Sequence, residues 1–79
     1  MATKKILSSK FVVCIKNESY PASLELYKIY RVLPDADAIE SGDIRVIDES
    51  GEDYLYPSDY FIPIEVPHDL EQAIIQTSY

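Results

Sequence analysis

The chain has 79 residues, 47% of them apolar, and a formal net charge of −7. That length makes one small domain with a modest core, and that apolar content excludes a disordered chain. The acidic balance repels nucleic-acid phosphates and anionic headgroups, and the longest apolar run, Phe11 to Ile15, falls far short of the about 20 residues of a membrane span.

Residues 1–9, "MATKKILSS", carry no periodic pattern and are expected to be a flexible N-terminal segment. "KFVVCIK" (Lys10 to Lys16) is rich in β-branched residues and bounded by lysines, which predicts a strand. Its Cys14 is the sole cysteine, so an internal disulfide is excluded. A reducing, cytoplasmic setting fits best, with Cys14 as a small buried apolar residue. "NESYPAS" (Asn17 to Ser23) reads as a loop, broken by Pro21.

"LELYKIYRVL" (Leu24 to Leu33) alternates with period two and predicts a strand ending at Pro34, although Lys28 and Arg31 intrude. "PDADAIESG" is a polar connection with a helical turn around Ala36 to Glu40. "DIRVIDE" and "EDYLYP" read as two strands around Ser50-Gly51, "SDYF" as a turn, and "IPIEV" as a short or edge strand because Pro63 lacks a donor. In "PHDLEQAIIQTSY", Leu70, Ala73 and Ile74 stand at helical spacing, with Asp69 as a candidate cap and Glu71 near the positive end of the dipole. The expectation is an all-β fold of five strands over residues 10–66, and a short C-terminal helix and tail over residues 67–79 packed against it.

The hairpin crowds Asp48, Glu49, Glu52 and Asp53 around Ser50-Gly51. A two-residue turn would set Glu49 opposite Glu52 and Asp48 opposite Asp53, and like charges so placed repel. A type I turn from Asp48 to Gly51, followed by a bulge with Gly51 at positive φ, avoids the first clash. It pairs Val46 with Tyr54 and Ile44 with Tyr56, and still leaves four acids at one exposed tip.

Three segments carry a family resemblance. "GDIRV" resembles a Gly-Asp-Trp-Trp segment, "YLYPSDYFIPIE" a Tyr-Ile-Pro-Ser-Asn-Tyr-Val segment, and "LELYKIYRVL" a Leu-x-Phe-x-x-Gly-x-x-x-x-Val strand. Together they resemble a Src-homology-3-like (SH3-like) small barrel over Phe11 to Val66, most specifically in Pro-Ser-Asp-Tyr. The chain is also similar to short bacterial proteins that carry nearly the run "IRVIDESGEDYLYP", which implies no particular activity. The barrel resemblance implies a five-stranded SH3-like barrel. In its peptide-binding members a proline-rich ligand crosses aromatic rings. The matching positions are Pro57, Tyr60 and Leu55. The groove tryptophan position falls on Ile44, "FVVCI" replaces the Ala-Leu-Tyr-Asp-Tyr segment, and the first loop is short, which argues against a proline-helix groove.

No catalytic set stands out. His68, the sole histidine, lies at a helix start without distinctive partner spacing, and the two glycines build no phosphate loop. The chain is therefore expected to be a non-enzyme without metal or cofactor. Residues 34–79 hold Arg45 against twelve acids, whereas residues 1–33 hold six bases and two acids. The seven tyrosines are too many for so small a core to bury whole, so some rings are expected at the surface beside acids. That combination suits Lys- or Arg-bearing partners. The expected function is a protein-interaction module, monomeric or weakly dimeric, docking a basic or mixed segment of a larger complex. Tyr54, Leu55, Pro57 and Tyr60 are the candidate contacts, and Asp48, Glu49, Glu52 and Asp53 the steering charges. The alternative is an acidic inhibitor or nucleic-acid mimic, of the antitoxin or phage-blocker kind, with the acids from Asp35 to Asp59 imitating phosphates.

Overall fold

A computed structural model of the protein describes residues 10–78, with side chains as far as Ile74. The expectation for residues 1–9 lies outside these. The elements are β1 (Phe11–Cys14), β2 (Ile29–Leu33), α1 (Ala36–Glu40), β3 (Asp43–Ile47), β4 (Asp53–Pro57), a 3-10 turn (Ser58–Tyr60), β5 (Phe61–Ile64) and α2 (His68–Ser78). The strands form one five-stranded antiparallel sheet in the order β4-β3-β2-β1-β5. β4 and β5 are its edges, and no ladder joins them among the described residues. The strand-rich fold and the C-terminal helix are as expected.

β2 serves two neighbours. Ile29 to Arg31 pair with β1, and Val32 and Leu33 pair with β3. Strand alternation then sorts the side chains. Val12 and Cys14, Tyr30 and Val32, Ile44 and Val46, Tyr56 and Phe61 share one core with Leu24 and Ile39. Val12, Cys14, Ile44 and Val46 are each 0% exposed. Burying such a side chain contributes about 1.5–3 kcal/mol. The Cys14 thiol donates to the Lys16 carbonyl at 3.1 Å, and burial pushes it up from its ordinary pKa, so it is a packed residue rather than a nucleophile.

The opposite face is also used. Phe11 is 2% and Ile47 9% exposed, yet neither belongs to that core. α2 lies on this side: Glu71 pairs with Lys10 at 3.0 Å, and Ile74 joins Ile29 and Arg31 around a cleft of about 200 Å³. Leu70 does not pack as its helical spacing predicts; it is 43% exposed, and Ala73 is exposed as well. Ile74 is the half-buried one of the three.

The span Leu24 to Leu33 departs from expectation in its first half. The strand begins at Ile29, and Leu24 to Lys28 belong to a loop running from residue 15 to residue 28, so the first loop is long rather than short. Backbone bonding explains the break. The Leu24 amide turns back to the Tyr20 carbonyl at 3.0 Å, and the Tyr27 amide donates to the Cys14 carbonyl at 2.6 Å. Tyr27 sits at φ 63, a left-handed conformation that no strand accommodates. Leu24 reaches the core from the loop, at 0% exposure, while Tyr27 projects outward at 76%.

Candidate functional site at the acidic hairpin and tyrosine surface

The β3–β4 turn has the predicted three-residue form. The Gly51 amide donates to the Asp48 carbonyl at 2.9 Å, the Asp48 amide to the Glu52 carbonyl at 3.0 Å, and Gly51 adopts φ 84. The register sets Val46 against Tyr54 and Ile44 against Tyr56. This is the arrangement in which Glu49 and Glu52 do not face each other.

The four acids do not share one fate. Asp48 is turned inward and 4% exposed, which corrects the expectation of four exposed carboxylates. Its Oδ1 accepts from the Ser50 amide at 2.9 Å and from the Ser50 hydroxyl, and its Oδ2 accepts from the Tyr56 hydroxyl at 2.6 Å. Burial by itself raises the Asp48 carboxyl, but these donors outweigh it and hold the group below the usual carboxylate range. In return burial, reinforced by the Asp48 charge, pushes the Tyr56 hydroxyl up to about 12.

Glu49 is tied on the other side of the tip. It pairs with Lys28 at 2.7 Å and accepts from the Tyr30 hydroxyl. Lys28 first, then Tyr30, lowers its pKa. The Glu25 amide donates to the same Tyr30 oxygen at 2.7 Å, and the Glu49 amide donates to the Ser23 carbonyl at 2.9 Å. The hairpin tip is thereby docked onto the end of the first loop. Asp53 pairs with Arg45 at 2.7 Å, and the same guanidinium donates to Asp35 at 2.9 Å. Asp35 also caps α1 by accepting from the Ala38 amide at 3.0 Å; that amide and Arg45 hold its carboxyl below the usual range. Glu52 is exposed, and its carboxylate makes no ion pair or hydrogen bond among the described residues.

Beside the tip lies a run of rings. Tyr54 is 60% and Leu55 42% exposed on β4, and Pro57 and Tyr60 are half-buried. Tyr20, from the first loop, sets its ring edge-on to Tyr56 at 5.0 Å and to Tyr60 at 6.2 Å. The Tyr60 hydroxyl donates to the Glu18 carbonyl at 2.8 Å, fastening the same loop to the 3-10 turn. Tyr54, Leu55, Pro57 and Tyr60 therefore lie along one continuous stretch of chain, with Tyr54 and Leu55 the more open half. Ile44, which the barrel resemblance sets against a groove tryptophan, is 0% exposed and offers no ring surface.

Sequence reasoning passed over Tyr20, Tyr30, Lys28 and Arg45. A signal existed for two of them. Arg45 is the sole base among the last 46 residues, so it had to be the counter-charge there, and Lys28 breaks an otherwise apolar alternation. Tyr20 is placed by loop folding and leaves no local pattern. No described helix is long and apolar enough to cross a membrane. Comparison with family models, with curated proteins and with solved structures finds no match for this chain.

Proposed function

We propose that the chain is a non-enzymatic protein-interaction module with an SH3-like barrel architecture, docking a basic or mixed segment of a larger protein complex. The observation that carries this reading is the pair Tyr54 and Leu55, 60% and 42% exposed, consecutive on a strand that follows the unpaired Glu52. Exposed ring surface beside negative charge favours Lys and Arg through cation–π and ionic contact. Support for the barrel comes from Tyr56 and Phe61, on strands at opposite ends of the sheet order, whose rings lie 6.3 Å apart in one core.

Of the four acids, Glu49, Glu52 and Asp53 are the steering groups, whereas Asp48 belongs to the fold. Titration with a Lys-rich peptide, followed by calorimetry at several salt concentrations, tests this. Replacing Glu49, Glu52 and Asp53 with Gln or Asn is expected to weaken binding and flatten its salt dependence. Unchanged salt dependence would remove the steering role.

The second reading is an acidic inhibitor or nucleic-acid mimic, and it rests on the density of charge. Residues 35–53 hold eight acids and one base. Asp48 faces inward and Asp35 and Asp53 share Arg45, so a regular row of free charges is interrupted. A partner that DNA or RNA displaces from the protein would favour this reading over the first.

A further inference from the structure

The two edges of the sheet differ in what their backbones offer. On the β1–β5 ladder, the Ile15 amide bonds the Tyr60 carbonyl at 2.8 Å. Alternation then makes 13/62 and 11/64 the bonded pairs and leaves residue 63 facing away from β1. Residue 63 is proline, so the outward position at the middle of β5 has no donor. That edge is blunted.

β4 is not. The Ser58 amide bonds the Gly42 carbonyl and the Asp48 amide bonds the Glu52 carbonyl, each at 3.0 Å. The bonded pairs between them are 44/56 and 46/54, so Asp53 and Leu55 turn both N–H and C=O away from β3. Both residues are exposed, and neither amide meets another acceptor among the described residues. Asp53 and Leu55 thus present two successive outward donors and acceptors, and Pro57, the next outward position, adds a carbonyl but no donor; those two residues supply the template that an added strand requires.

We infer that β4 is the docking edge, and that it takes an extended segment of a basic partner as a sixth strand, with aliphatic residues alternating with Lys or Arg. This rests on the docking reading above and supplies its geometry. Alternation fixes the occupant's pattern. On the face of Leu55 the incoming strand meets an exposed aliphatic side chain, which an aliphatic residue covers. On the other face it meets the open ring of Tyr54, over which a cation sits, with Glu52 close in sequence. Charge selects against a second copy of this chain, since each carries −7.

The test uses an alternating Lys–Val peptide as probe, titrated into the full-length ¹⁵N-labelled protein. The expected result is slowed hydrogen exchange at the Asp53 and Leu55 amides on binding. N-methylation of the probe on the alternate residues that face β4 is expected to weaken binding by about tenfold or more, because the inter-strand hydrogen bonds are lost while charge is kept. Leu55→Pro removes an outward donor that β3 does not use, and is expected to give a similar loss. The methylated probe decides the matter whether or not that variant folds. If the probe shifts the Tyr54 and Tyr60 resonances but N-methylation changes nothing and both amides exchange freely, the added strand is refuted while docking stands. If the probe does not bind at all, both fail.

Discussion

Replacing Tyr56 by Phe removes one oxygen and keeps a ring that packs edge-on to Tyr20 at 5.0 Å and Phe61 at 6.3 Å. What disappears is the 2.6 Å hydrogen bond to Asp48 Oδ2. Asp48 is 4% exposed, so water cannot supply the missing donor unless the tip opens. A hydrogen bond to a charged group contributes about 1.5–3 kcal/mol, and the stranded oxygen keeps the loss within that range. The expected destabilisation is about 2 kcal/mol. Domains of this size have total stabilities of about 4–12 kcal/mol, so the midpoint of thermal unfolding should fall by about 8–16 °C.

Urea unfolding at constant m-value measures the change, and a double-mutant cycle with Asp48→Ala isolates the pair, with a coupling of about 1–2 kcal/mol. A pH series adds a second check. The folded-state pKa of Asp48 lies below its unfolded value, so its stabilisation is complete above the ordinary carboxylate value and vanishes as pH falls through the folded one. The gap between the parent protein and Tyr56→Phe should therefore close in acid. A loss below about 0.5 kcal/mol, or a coupling indistinguishable from zero, would refute the assignment of Asp48 and Tyr56 as the bond that seats the hairpin.

Three further outcomes are expected. Glu49→Gln breaks the Lys28 pair and weakens the Tyr30 bond, costing about 1 kcal/mol and speeding hydrogen exchange at the Glu25 amide, which Tyr30 holds; an unchanged exchange rate there would contradict the docked tip. Ile44→Ala, at a site 0% exposed, should cost about 2–5 kcal/mol in denaturant unfolding. Gly51→Ala places a Cβ that meets nothing within 4 Å, so its cost of about 1 kcal/mol comes from φ +84 alone, and an Asn at the same position should recover part of it.

Much of the hairpin was legible locally. Asp at the first position of a type I turn and Gly at the bulge are chemical preferences of four adjacent residues, so the register of Ile44 with Tyr56 could be read before any tertiary contact was known. The helical turn at Ala36 was legible for the same reason, since its cap, Asp35, lies within one turn of the amide it accepts from. The loop from residue 15 to residue 28 was not. Its course depends on Tyr20 resting on Tyr56 and Tyr60, and on the Tyr60 hydroxyl reaching Glu18, contacts between residues far apart in the chain. Leu24 looked like part of a strand because its apolar character is real, although it enters the core from a loop.

The sequence by itself determined that the chain is strand-rich, where the tight turn falls and how lopsided the charge is, because these follow from local preferences and from counting, whereas the start of β2 at Ile29 rather than Leu24 was set by the folding of the first loop. The tertiary structure decided which acids remain available. Asp48 and Glu52 flank the same tight turn, yet one faces Tyr56 inside the fold and the other faces water. A carboxylate's role depends on which donors the rest of the chain brings to it, and those donors come from β2, β3, β4 and the first loop together.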